Sequence, residues 1–351
     1  MANARKQIVE KDQVRSYHCM TRCVRRAFLC GFDCQSGKNF EHRRGWIRSR
    51  MVFLSRIFVL DVIGYSVQSN HIHIILRTRP DIAGNLSPQE IACRWLRLFP
   101  PPLFKGKADW TPSHEIIEPL TRDAERIECL RQRLNDLSWF MRCLDERIAR
   151  MANQEDQCKG RFWEGRFKCK LLIDEAALLT CLAYVDLNPI RAGEAKTPEE
   201  SWFTSACERI QAFRKAAQGQ PHSPENPDMP PGITSAIQQE TGGEPDWLCP
   251  LTDRFSRKGV FQKLDEKEYF DILDAVGREK SSTGKGSIPL ELAPILERLS
   301  INVTCWTQSL DNYDSLFRRI LGRASHIMAH AKASGLNWFQ GIRICRILFG
   351  T

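Results

Sequence analysis

Two apolar runs separated by three polar residues constrain this chain more than any other feature. Residues 59–67 read Val-Leu-Asp-Val-Ile-Gly-Tyr-Ser-Val, and residues 71–77 read His-Ile-His-Ile-Ile-Leu-Arg. Both are rich in β-branched side chains, which suit a pleated, half-buried surface better than a helix. Gln68-Ser69-Asn70 between them has turn composition, so the pair predicts a hairpin. Alternation along the second run places Ile72 and Ile74 on one face and His71 and His73 on the other. The isoleucine face belongs to a core. Two imidazoles on one strand face can share a divalent ion. Two unrelated surface histidines would look the same, so the pair alone leaves both readings open.

The rest of the chain supplies partners for that hairpin. Residues 14–23 read as a further strand. Residues 39–58 repeat Phe40, Trp46, Ile47, Met51, Leu54 and Phe58 at helical spacing. Over residues 80–120 prolines accumulate around one helical stretch at 88–98, the composition of an insertion or lid that extends over about 80–137, and residues 122–153 have a helical pattern. Residues 160–170 alternate like a strand or hairpin. Asp174 then caps a helix that runs to about Leu187, where Asn188-Pro189 stops it. The Pro-, Gly-, Ser- and Gln-rich stretch 217–247 has linker composition. The expected organisation is α+β: an antiparallel sheet with helices on one face in residues 1–216, the linker, and a mainly helical C-terminal domain at 248–351. Two helix-like segments around Ser334-Gly335, within 316–345, fit either a helix-turn-helix or ordinary helical packing.

Charge narrows the partner. Residues 1–60 carry 13 Lys and Arg against 4 Asp and Glu, which is the whole of the net charge of +9. A basic N-terminal region suits a polyanion such as nucleic acid, and also suits a merely soluble surface. No apolar run long enough to span a bilayer and no secretory h-region is present, so a cytoplasmic location and no membrane partner are expected. The 14 cysteines then read as buried free thiols. Cys19, Cys23, Cys30 and Cys34 lack the tight Cys-x2-Cys knuckle of a zinc site, and a strand around Cys19 and Cys23 would hold those two thiols apart.

The 174–188 segment is almost wholly apolar, yet Thr180, Tyr184 and Asn188 recur one turn apart. Tyr184 is one of five tyrosines. A phenol with a carboxamide one turn on suits a nucleophile beside a metal ligand. A core tyrosine bonded to Asn188 is the plainer alternative.

Three motifs now stand in order: His71-Ile-His73, then Arg161-Phe-Trp-Glu-Gly-Arg166-Phe-Lys, then Tyr184-Val-Asp-Leu-Asn188-Pro189-Ile-Arg191-Ala-Gly193. Together with Tyr17-His18-Cys-Met-Thr-Arg22-Cys-Val-Arg25-Arg26-Ala-Phe they resemble the single-tyrosine HUH transposases (His, hydrophobe, His), in the branch of the REP-associated tyrosine transposases. The resemblance covers residues 14–77 and about 138–210. It implies a ferredoxin-like fold of the HUH or RRM type. It also implies Mg2+ or Mn2+ held by His71 and His73, with Asn188 completing the site, and Tyr184 as the nucleophile on single-stranded or hairpin DNA. Arg15, Arg22, Arg25, Arg26, Arg43, Arg44, Arg161 and Arg166 are then candidate DNA contacts, with Phe162 and Trp163 available to stack on bases. Homodimers that exchange the tyrosine helix are a further implication. The insertion and the long C-terminal tail depart from a minimal enzyme of this kind.

The implied chemistry is attack by the Tyr184 oxygen on a phosphodiester, giving a 5′-phosphotyrosine and a free 3′-hydroxyl. That hydroxyl can reverse the reaction on another strand, so no nucleotide hydrolysis is needed, and no P-loop sequence is present. Two alternatives remain: a catalytically silent nucleic-acid-binding protein of the same fold, and a metal-dependent hydrolase in which Tyr184 is structural.

Overall fold

The computed structural model describes residues 8–10, 12–24, 29–34, 36–106, 110–217, 247–253, 258–262, 264–278, 306, 309–310, 313–317, 319–336, 339 and 341–349. Arg25, Arg26 and nearly all of the linker at 217–247 lie outside those residues.

The hairpin forms as its composition dictates. Strand β2 (Leu60–Val67) and strand β3 (His71–Thr78) pair antiparallel, and the Gln68 amide donates to the His71 carbonyl at 2.9 Å. Strand β1 (Ser16–Arg22) lies against the other edge of β3, and β4 (Lys168–Leu172) against β1, both antiparallel. A fifth strand, β5 (Ile320–Leu321), joins β4 in parallel, and the strand order is β2-β3-β1-β4-β5.

The expected α+β class is observed, with two corrections: the parallel β5 makes the sheet mixed rather than antiparallel throughout, and cover is not confined to one face, because both faces of the sheet are buried. On one face Tyr17, Cys19, Ile72, Ile74 and Leu76 are shielded from solvent; on the other His18, Met20, His73 and Ile75 are. Alternating burial on both faces needs cover on both. Helix α1 (His42–Ile57) packs on β2, with α6 (Leu137–Glu155) behind it. Helix α7 (Glu175–Asp186) covers the histidine face, contacting β2, β3 and β4.

The insertion is built of short helices: α2 (Pro80–Ala83), α3 (Pro88–Leu98), α4 (His114–Thr121) and α5 (Ala124–Leu134). Its anchor is chemical. The Arg94 guanidinium donates to the Arg56 and Ile57 carbonyls at 3.0 and 2.9 Å, satisfying orphan acceptors at the end of α1. The helical pattern expected over 122–153 is broken, because Asp136 turns its side chain onto the Ser138 and Trp139 amides and starts a new helix. The expected strand at 160–170 is mostly turn, with Gly160 at φ 116, and only its end enters β4.

After α7 come α8 (Asn188–Arg191), α9 (Ser205–Ala217), α10 (Glu266–Arg278) and α11 (Tyr313–Leu316). Then follow β5, α12 (Ala324–Ala333) and α13 (Ile342–Phe349). A separate C-terminal domain was the sequence expectation. The described residues beyond 247 instead add β5 to the sheet and place Trp306, Leu310, Tyr313 and Phe317 in the same core as β1–β4. The two helices around Ser334-Gly335 are present, and they bury Ile327, Cys345 and Leu348 in that core. Among the described residues no helix is long and apolar enough to cross a membrane.

Candidate functional site

The site assembles on the face of the sheet that α7 covers. His71 and His73 point the same way, as alternation requires, with ring centroids 4.6 Å apart. Antiparallel register puts Arg22 opposite His71 and Met20 opposite His73. His18, also on β1, reaches His73: its Nε2 lies 2.9 Å from His73 Nδ1.

Helix α7 brings the tyrosine. Asp174 starts the helix by accepting from the Ala177 amide at 2.9 Å. Ala176 to Asp186 are all buried, the pattern of a helix covered on every side. Tyr184 meets His73 edge-on, with centroids 5.5 Å apart, and His18 at 6.1 Å. Residues separated by more than a hundred positions thus share one pocket. The Tyr184 hydroxyl donates to Asp314 Oδ2 at 3.1 Å, and its ring stacks on Tyr313 at 4.2 Å. Asn188 lies beside the same hydroxyl, and its Nδ2 has no hydrogen-bond partner among the described residues.

Electrostatics favour neutral imidazoles. Burial, then the Arg22 guanidinium, pushes His71 down to about 4, and burial pushes His18 down to about 3. His73 is held well below the ordinary imidazole value, first by burial and then by its histidine neighbours. A metal ligand must be deprotonated, and these rings already are at neutral pH. Tyr184 moves the other way: burial, then the Asp314 carboxylate, raises it above an ordinary phenol. Positive charge near the hydroxyl is therefore needed to release its proton at neutral pH.

The fit of a divalent ion can be tested on the rings themselves. His73 Nδ1 is engaged by His18, while its buried Nε2 has no partner among the described residues. His71 Nδ1 is engaged by Asn70 Oδ1. A hydrogen-bond partner on one ring nitrogen, with the other left for the ion, is the usual arrangement for a ligating histidine. Among the described residues, however, no group of three or more His, Cys, Asp and Glu side chains stands close enough to hold a metal. An ion on His71 and His73 would need further donors from the Asn188 amide, substrate oxygens or water.

The other sequence candidates divide. Arg22 lies beside His71, and its Nε has no partner among the described residues. Arg161 and Arg166 are exposed, and Arg15 is partly exposed and paired with Glu10 at 2.6 Å. Arg43 and Arg44 do not face solvent and are not available to DNA here. Arg43 is fully buried and donates to Glu155 and Asp156 at 2.6 and 2.5 Å. Arg44 pairs with Glu194 and Glu41, both at 2.9 Å. The positive excess of the N-terminal sequence is thus partly cancelled by acids that folding brings in. Trp163 is buried, its indole donating to the Asp145 carbonyl at 2.8 Å, and Phe162 is buried beside it; neither presents a face for base stacking. Thr180 accepts from Trp306 Nε1 at 2.8 Å, so that part of the polar stripe is explained by the C-terminal segment.

Sequence reasoning missed His18, Lys170, Tyr313, Asp314 and Asp186. His18 had a signal, standing four residues before Arg22 on one strand face. Asp186 had one too, a charge inside an apolar helix; its carboxylate takes the Ser205 hydroxyl at 2.6 Å, the Ala206 amide at 3.0 Å and the Tyr269 hydroxyl at 2.6 Å. Tyr313 and Asp314 had none, because nothing local ties residue 314 to residue 184.

No protein-family model matches the chain. No curated protein matches it either. A solved structure described as "Structure of the REP associates tyrosine transposase bound to a REP hairpin" aligns with 75% of this chain and 100% of that one, at 12% sequence identity and a TM-score of 0.34.

Proposed function

We propose that this chain cleaves and rejoins single-stranded or hairpin DNA through a covalent bond to Tyr184, as a single-tyrosine HUH transposase or nickase. The observation that carries the reading is convergence: His73, whose ring lies 4.6 Å from that of His71 on the same strand face, meets Tyr184 from α7 edge-on at 5.5 Å. The Tyr184 oxygen attacks a backbone phosphorus, the bond from phosphorus to the 3′-oxygen breaks, and the products are a 5′-phosphotyrosine and a free 3′-hydroxyl. A magnesium or manganese ion on His71 and His73, with Asn188 as the proposed further donor, would supply Lewis acidity at the phosphate and positive charge near the phenol. His18 fixes the orientation of His73 through their hydrogen bond. Arg22, whose Nε has no partner among the described residues and which stands opposite His71, would meet a phosphate oxygen.

The test uses a labelled hairpin oligonucleotide with a single-stranded flank, incubated with the protein and manganese or with a chelator. A denaturation-resistant adduct is expected with manganese alone. Tyr184→Phe should abolish it and leave DNA binding within about threefold, since the lost hydroxyl acts in the transition state. An adduct that survives the substitution sinks the nucleophile assignment. Strand hydrolysis without an adduct supports the hydrolase alternative, and binding without any cleavage supports the silent binding protein.

A further inference from the structure

His18, Arg22, His71, His73, Tyr184 and Asn188 all come from the first two hundred residues, but the carboxylate that accepts from the Tyr184 hydroxyl does not. Asp314 lies on the short helix α11, just before β5. Its two carboxylate oxygens have separate tasks. Oδ2 accepts from the Tyr184 hydroxyl at 3.1 Å, and Oδ1 accepts from Lys170 Nζ at 2.6 Å. Lys170 is on β4, directly opposite His18, and is buried. Its ammonium also sits 4.2 Å from the centroid of the Tyr313 ring. Tyr313 in turn stacks on Tyr184 with the planes 17° apart.

We infer that Asp314, held by Lys170, is a positioning residue that fixes the direction of the Tyr184 hydroxyl, so that the C-terminal segment completes the active site. The inference rests on Tyr184 being the nucleophile. A phenol has two soft torsions and a rotating hydroxyl hydrogen. The Tyr313 stack restrains the ring, and the carboxylate restrains the hydroxyl. In-line attack on phosphorus tolerates little misplacement, so restraining both removes a large entropic part of the barrier. A purely structural origin fits less well. Burying an ammonium beside a carboxylate gains little stability over an apolar pair of similar volume. Asp314 itself is 45% exposed in its side chain, so water alone would satisfy it without the tyrosine. The ion pair joins β4 to α11, and its free end points at the one hydroxyl that the proposed reaction uses.

The experiment compares the full-length protein with Asp314→Ala, Asp314→Asn and Lys170→Met. Three quantities are read: the single-turnover rate of adduct formation, hairpin affinity by fluorescence anisotropy, and Tm. Asp314→Ala should slow adduct formation by about tenfold or more while hairpin Kd stays within about threefold, the split expected of a group that acts after binding. Asp314→Asn keeps an acceptor oxygen and should recover part of the rate. Lys170→Met frees the carboxylate to rotate and should fall between wild type and Asp314→Ala. A wild-type rate in Asp314→Ala overturns the inference. So does a loss of rate that only tracks loss of Tm and affinity, with Asp314→Asn no better than alanine. If the wild type itself forms no adduct, the nucleophile reading fails separately. The clamp is then judged by nitration with tetranitromethane, mapped by mass spectrometry. Faster nitration of Tyr184 in Asp314→Ala, with the other tyrosines unchanged, supports it; unchanged nitration overturns it.

Discussion

Gly64 sets how closely α7 lies on the sheet, and through α7 it sets where Tyr184 stands. It occupies β2 next to an irregularity in the pairing with β3. A Cβ at this position would sit 2.3 Å from Leu182 Cδ1, 3.0 Å from Ser205 Oγ and 3.6 Å from Ile75 Cδ1. Carbon atoms prefer about 3.5–4.0 Å, so Gly64→Ala forces an overlap of more than about an ångström with Leu182. Leu182 is fully buried, so its Cδ1 gives way only by shifting against packed neighbours. Overpacking of this kind costs about 1–3 kcal/mol. Leu182→Ala alone leaves a cavity and costs about 2–5 kcal/mol. The two defects are complementary, since the new methyl enters the space that the leucine vacates. The double variant should therefore be more stable than the sum of the singles predicts, by about 1 kcal/mol or more. Urea denaturation of the four proteins measures this directly. Additivity within about 0.5 kcal/mol would show that α7 does not rest on Gly64 through Leu182, and would refute the reasoning. A functional consequence follows, because Tyr184 is two residues along the same helix. Gly64→Ala should lower the adduct rate by up to about a hundredfold, the scale expected of an ångström of misplacement.

Asp186 should make stability depend on pH in the acid range. Burial pushes its carboxyl up to about 6, whereas an unfolded aspartate titrates near about 3.9. The folded state therefore holds a proton that the unfolded state has released, a contribution that is full below about pH 4 and lost as pH rises through about 6. Relative to Asp186→Asn, the wild type should lose roughly 3 kcal/mol across that window, read from urea midpoints, and parallel pH curves would refute the assignment. Arg43→Ala leaves Glu155 and Asp156 without their buried partner and should destabilise by about 3 kcal/mol. Hairpin affinity measured where the variant is folded should not change, and a selective loss of binding would return Arg43 to the DNA surface.

The sequence determined the hairpin, because β-branched runs flanking a polar turn have few other ways to bury themselves. Period two then forced His71 and His73 to one face, and the Asp174 cap with Asn188-Pro189 bounded the tyrosine helix within a residue. These are local facts, set by sterics and hydrogen bonding over a few residues. Charge did not carry over in the same way: Arg43 and Arg44 read as a basic surface, yet acids more than a hundred residues away pair with them inside the fold. Composition cannot report such cancellation, since it depends on which segments meet. The same limit hid the C-terminal part of the site. Only the parallel pairing of β5 with β4, a non-local contact with no sequence period, places Tyr313 and Asp314 against Tyr184 and Lys170.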